Sequence, residues 1–304
     1  MEIYAKSTLS HDQINAKKAI GCDAIEIQLL DEFLADNGYK CINDVVDLHE
    51  YENEPISVVH APIISGLGDL TIEQLCDFDD FKMLDITCEI AEFFSLAQNK
   101  HIIVVLHSET FLDFLIGIGG SLNRIEYYVS RLLYKYPHIR LGIENVTPIR
   151  GFSKGNIHLA NNFLFDNVDI VNRLKVDLKT DRIGTVLDTC HAMITKKYIS
   201  VLFREIGDTT YMPDLSMDNF FKKNKDTAFL IHLASMRGTG YDKDHGTPFD
   251  NPQDCFDILD IYTKYDYNCP ITLEVREDDY IKNENYKATK LLVDKYIGGK
   301  GCEH

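Results

Sequence analysis

The sequence predicts an α/β fold, a single (β/α)8 TIM barrel with parallel strands that takes residues 1–304 as one domain. Three observations carry that expectation. Eight short apolar runs alternate with amphipathic stretches. Most runs are continuously apolar, the mark of strands covered on both faces. The length of 304 residues is ordinary for a barrel of about 250 residues with some long loops. In chain order, Ile3 to Lys6 is the first expected strand, followed by helix-like Ser10 to Ile20. Ala24 to Leu29 and Ile56 to His60 are the second and third strands. Leu70 to Gln98 carries a long helical pattern. His101 to His107 is the fourth strand, with helical Phe111 to Tyr136 behind it. Ile139 to Glu144 is the fifth, with a helix expected within His158 to Leu178. Ile183 to Asp188, Ala228 to His232 and Ile271 to Glu274 complete the set. An open doubly wound sheet is the competitor, but no GxGxxG follows the first strand. Two polar, glycine-containing loops follow strands, Asn145 to Asn156 and Ala234 to Asn251, where barrel active sites are built.

Composition narrows the function. The formal charge of −17 opposes sequence-independent capture of polyanions, so general duplex DNA binding is not expected. Eight cysteines contain no CxxC pair, which argues for reduced thiols and against a zinc ribbon. The start at Met1 enters a strand directly and no apolar run reaches membrane-spanning length, so a cytoplasmic protein without membrane attachment is expected.

The chemistry gathers at strand ends. His60, His107, Glu144, the pair Asp188 and His191, His232 and Glu274 terminate six of the eight apolar runs. Any one of them alone is more often a cap or a surface residue, and Asp188 in particular reads as a helix N-cap. Barrel strands, however, all deliver their C-terminal ends to one mouth, so seven carboxylates and imidazoles would converge there. Such ligands suit zinc, manganese or iron. A single zinc needs three or four protein ligands, so this set has room for two or three ions, an arrangement suited to phosphoester cleavage.

The segment Leu187-Asp188-Thr189-Cys190-His191-Ala192, with the other candidates in order around it, resembles the xylose-isomerase-like barrels and, within them, the endonuclease IV type (AP endonuclease family 2). That resemblance implies a metal-dependent phosphoester hydrolase with a metal-bound hydroxide as nucleophile, two or three zinc ions per chain, and abasic-site DNA or a small phosphoester as substrate. His60, His107 and Glu144 would hold one ion, and Glu144, Asp188, His232 and Glu274 a second. His191 and His245 would hold a third with an aspartate, Asp242 or Asp244. Glu144, Glu274 and His191 would then be the catalytic residues. The stretch Asn145-Val146-Thr147-Pro148-Ile149-Arg150 departs from that type, whose corresponding segment is small and glycine-rich. The sugar isomerases and epimerases of the same superfamily give the alternative. They need one ion on Glu144, Asp188, His232 and Glu274, the two glutamates serving as acid and base, with His191 and Arg237 binding substrate hydroxyls. A fainter resemblance, in Ile231-His232-Leu233-Ala234 and Asp244-His245-Gly246, is to multinuclear iron oxidases that modify peptides. A barrel that only binds a ligand has no need of so many ligand-type side chains. Glu26 and Gln28 are expected near the mouth, with one of them facing the helices as the alternative.

Overall fold

In the computed structural model, the described residues are 1–30, 46–64, 68–69, 81–108, 118–146, 149–153, 156–159, 166–206, 214–237 and 245–300. Eight strands, β1 (Ile3–Ser7), β2 (Ala24–Leu30), β3 (Ile56–Ile64), β4 (Ile102–Ser108), β5 (Ile139–Asn145), β6 (Ile183–Asp188), β7 (Ala228–Leu233) and β8 (Ile271–Leu273), pair in parallel with their neighbours. The β2–β3 pairing closes the ring. Closure is what makes the sheet a barrel, and it leaves each strand with two buried faces. Every residue of β6 is accordingly buried.

Eight helices are present among the described residues: α1 (His11–Ile20), α2 (Phe81–Gln98), α3 (Ile118–Lys135), α4 (Asp166–Leu178), α5 (Thr189–Ile206), α6 (Met217–Asn224), α7 (Pro252–Lys264) and α8 (Glu284–Lys300). Their ends are chemically marked. Ser10 accepts the Gln13 N–H at the start of α1, and Gly21 closes it in the left-handed conformation at φ 93°. Asn251 caps α7, with Pro252 at its first turn. Glu277 accepts the N–H groups of Asn285 (3.0 Å) and Tyr286 (2.6 Å) and so caps α8.

Apolar packing divides into two main parts, beside a small cluster of Cys190, Ile194 and Ala234. A large outer core lies between strands and helices, and a smaller one, with Tyr4, Val58, Ile103, Val105, Val186 and Phe229, fills the barrel. Gly184 belongs to the inner one, since a Cβ there would meet the Phe229 ring at 2.5 Å. The barrel is thus plugged below its C-terminal mouth.

Some elements differ from the sequence reading. Residues within the loop expected at Asn145 to Asn156 form an antiparallel hairpin of Ile149–Ser153 and Asn156–Leu159, and the helix expected within His158 to Leu178 occupies Asp166–Leu178. The Ala234 to Asn251 loop contains a second such pair, Ser235–Met236 with His245–Thr247. Pairing satisfies backbone groups in excursions too long to stay fully solvated. The helix expected from Leu70 runs from Phe81, residues 70–80 lying outside the described ones, and no helix is described between β2 and β3 beyond a 3-10 turn at Leu48–Tyr51. No helix among the described residues is long and apolar enough to cross a membrane.

Candidate metal centre

The site is built where the β-ladder stops. Backbone pairing of β5 with β6 ends at Glu144 opposite Val186. The Asn145 side chain then extends it by one step, its Oδ1 accepting the Asp188 N–H (2.8 Å) and its Nδ2 donating to the Asp188 carbonyl (3.0 Å). Thr189 Oγ1 does the same toward β7, donating to the Ala234 carbonyl (2.8 Å) and accepting the Ala234 N–H (3.1 Å). These clamps fix the strand ends from which Glu144, Asp188 and His232 project.

Asp188 serves two ends at once. Its Oδ1 accepts the His191 N–H (2.6 Å), the N-cap that the isolated stretch suggested for α5, while Oδ2 lies 3.6 Å from the His191 ring. The cap and the ligand reading are therefore compatible.

Glu144 is at the centre and 1% exposed. Its Oε2 lies 3.3 Å from His60 Nε2 and 3.4 Å from His107 Nε2. Its Oε1 lies 3.3 Å from His232 Nδ1 and 3.4 Å from His191 Nδ1. His232 Nδ1 also approaches Glu274 Oε2 at 2.7 Å. Two groups converge closely enough for one ion each, their candidate ligand atoms all within 4.8 Å of one another: His60, His107 and Glu144, and Glu144, Asp188, His232 and Glu274.

The donor set fits a divalent metal. Two ligands of a tetrahedral zinc, each about 2.0–2.1 Å from the ion, lie roughly 3.4 Å apart, which is the spacing found around Glu144. His60 Nδ1 donates to the Ala61 carbonyl (2.8 Å), which fixes the tautomer and leaves Nε2 facing Glu144 with its lone pair. His60 Nε2, His232 Nδ1 and Glu274 Oε2 are buried and make no well-formed hydrogen bond among the described residues.

The electrostatics follow from crowding. Burial alone would raise the Glu144 carboxyl, but the His232 and His107 imidazoles outweigh it and hold it well below the usual carboxylate range. Glu274 is likewise driven down against burial, by Lys6 and then His232. Burial opposes the charged form of His232, yet Glu26, Glu144 and Glu274 together raise it well above an ordinary imidazole. His191 is lifted to about 9, with Asp188 and Glu144 overcoming burial.

The structure brings seven of the predicted residues into one network: His60, His107, Glu144, Asp188, His191, His232 and Glu274. His191 stands outside both ligand groups, its Nδ1 donating to the Asn145 carbonyl (2.7 Å). Asp242 and Asp244 lie outside the described residues, and His245 opens the strand His245–Thr247. Arg237 is half-exposed and paired with Asp250 at 2.6 Å, so a hydroxyl-binding role would require it to leave that partner.

Three residues were missed or half-read. Lys6, at the end of β1, contacts Glu274 Oε1 (2.5 Å) and Glu26 Oε1 (3.4 Å). Glu26 is fully buried and accepts from His232 Nε2 (3.0 Å), while Gln28 donates to the Ala61 carbonyl (2.8 Å). Glu26 and Gln28, two residues apart on one strand, share the inner face, so neither is turned to the helices. The strand-end rule that selected the histidines would also have selected Lys6, had cations been sought along with ligands.

No protein-family model matches the chain, and no curated protein matches it in sequence. Solved structures do. D-psicose 3-epimerase with D-tagatose, from Clostridium cellulolyticum H10, superposes with a TM-score of 0.58 at 14% identity, over 98% of this chain and 99% of that one. The IolI protein with a bound zinc atom gives 0.59 at 15% identity, over 98% and 99%. The 3-keto-D-glucoside 4-epimerase from E. coli gives 0.54 at 12%, again over 98% and 99%. None of these three is an endonuclease IV. At such identities the likeness is one of fold, and the chain shares the (β/α)8 barrel of these epimerase and zinc-binding structures from end to end.

Proposed function

We propose that this protein is a divalent-metal-dependent isomerase or epimerase of a sugar or sugar phosphate, the alternative rather than the leading expectation from the sequence. The observation that carries the reading is the convergence of Glu144, Asp188, His232 and Glu274 on one point at the barrel mouth. Support also comes from the fold shared with two sugar epimerases and a zinc-bound barrel.

Glu144, Asp188, His232 and Glu274 would hold the ion, which when bound supplies a Lewis acid that polarises a substrate carbonyl. The remaining chemistry belongs to the side chains. One glutamate removes the proton from the carbon beside the carbonyl, and the electron pair of that C–H bond moves into the carbonyl system. The other glutamate, once it has taken a proton from water or a substrate hydroxyl, returns it to the opposite face of the same carbon or to its neighbour, and the first then releases its proton to solvent. Glu144 and Glu274 suit this because both approach His232 Nδ1 from different strands, β5 and the end of β8.

A second reading, phosphoester hydrolysis, is favoured by one specific observation, the extra group of His60, His107 and Glu144. Two experiments separate the readings. Elemental analysis of protein produced with zinc, manganese and iron available should find one ion per chain. Incubation with ketoses in D2O should place deuterium beside the carbonyl. Two or three ions per chain, no exchange into any ketose, and cleavage of bis-p-nitrophenyl phosphate would overturn the isomerase reading in favour of the hydrolase.

A further inference from the structure

We propose that Glu26 is a positioning residue for the metal centre, acting through His232 and itself held by Lys6. The inference rests on the metal-dependent reading, common to both activities above, and adds to it a pair of residues outside the ligand set.

Glu26 on β2 and His232 on β7 belong to strands separated in the ring by β8 and β1. Their contact at 3.0 Å therefore reaches past two intervening strands through the barrel interior. Both side chains are fully buried. A carboxylate buried to that degree costs stability unless it is paired, and here its two oxygens are divided between two partners, an imidazole N–H and an ammonium. Oε2 faces His232 Nε2, and Oε1 faces Lys6 Nζ at 3.4 Å. Lys6 is placed for this by register, since it lies directly opposite Glu26 in the β1–β2 ladder, and it bridges to Glu274 at 2.5 Å.

The consequence concerns which nitrogen serves the ion. With Nε2–H committed to Glu26, Nδ1 is turned to Glu144 and Glu274. His60 and His191 are oriented differently, by the Ala61 and Asn145 backbone carbonyls. A carboxylate partner makes an imidazole a stronger ligand than a carbonyl does, and it sets the ring plane as well. Because Lys6 also holds Glu274, one partly buried ammonium ties the orientation of two ligands together.

The test uses Mn2+ alone as probe, titrated into the chelator-stripped full-length protein and followed by electron paramagnetic resonance. Glu26→Gln keeps the shape and removes the charge, and Glu26→Asp keeps the charge and shortens the reach. Both should bind Mn2+ about 10–100-fold more weakly than wild type. The Co2+-loaded variants should also show shifted d–d bands, which a role confined to folding would not produce in a protein that unfolds normally. If either variant fails to fold, the other carries the test. Wild-type affinity in both variants overturns the inference and leaves the metal reading intact. Wild-type affinity in Glu26→Asp alone reduces Glu26 to a distant charge, which also overturns it. No Mn2+ or Co2+ binding by the wild type would overturn the metal reading, and this inference with it.

Discussion

Replacing Glu144 by glutamine probes the centre most directly. Counted by charge alone, Glu144 is one carboxylate among several, and its neutralisation would relieve repulsion and stabilise the metal-free protein. The geometry reverses that sign, because the carboxylate touches four imidazoles at 3.3–3.4 Å. Consider His191 alone. Its folded value of about 9 against an ordinary 6.5 corresponds to about 3 kcal/mol at most, shared between Asp188 and Glu144. A value raised on folding stabilises fully below about 6.5 and fades as pH rises through about 9. Removing the Glu144 share therefore costs roughly 1 kcal/mol from this one contact, and the lost contacts with His60, His107 and His232 act in the same direction. Urea unfolding in chelator should show Glu144→Gln less stable than wild type by at least that amount at pH 6, the gap narrowing toward pH 9.5. In the same variant Mn2+ affinity should fall at least ~100-fold, since a direct ligand is lost, where a supporting residue costs 10–100-fold. Equal or greater stability of the metal-free variant at pH 6 would refute the reasoning, because Glu144 would then not be the anion that balances these rings.

Further outcomes follow from the same structure. His60→Ala combined with His107→Ala should leave one ion on Glu144, Asp188, His232 and Glu274, measured by elemental analysis, because the two histidines share only Glu144 with that group. Loss of all metal would show that the two groups are not separable. Gly184→Ala should destabilise the fold by about 1–3 kcal/mol in denaturant unfolding, since its Cβ would meet Phe229 ring carbons at 2.5 and 2.6 Å. Lys17, buried and 4.2 Å from the Tyr286 ring, is pushed down to about 8 by burial. Its ammonium penalises the fold below about pH 8, and the penalty is lost as pH rises toward 10.5. Lys17→Met should thus gain roughly 1–2 kcal/mol at pH 7 after losing the cation–π contact, and little near pH 10.5. A loss of stability at pH 7 would count against it.

How much of this was legible beforehand depends on the physical signal. Barrel strands announce themselves because two buried faces demand unbroken apolar runs, and Ile183–Asp188 was bounded correctly from that alone. The ligand-type residues were legible because an apolar run ending in His or Glu breaks a pattern. Glu26 and Lys6 break it less clearly. Glu26 sits inside Ala24–Leu30, with Ile27, Leu29 and Leu30 still to come, and Lys6 resembles any strand-end lysine. Their importance lies in a contact between residues 206 apart, Glu26 and His232, which no local window contains. Asn145 was read as the start of a loop, although its amide imitates a peptide group and continues the ladder.

The same distinction separates the activity first expected from the sequence from the one proposed above. Counting ligand-type residues treats every histidine at a strand end as equivalent, and so points to several ions and to hydrolysis. Geometry ranks them. His232 is held by a carboxylate across the barrel, Asp188 by an amide clamp and its own helix cap, and Glu274 by Lys6. These three share Glu144 and form the group whose orientation is most completely fixed. His60 is oriented by a backbone carbonyl, and His191 by another that leaves it outside both groups. A site with one heavily supported set of four, and a lighter flank of histidines beside it, is better matched to one tightly held ion with imidazoles facing a substrate than to two ions of equal standing.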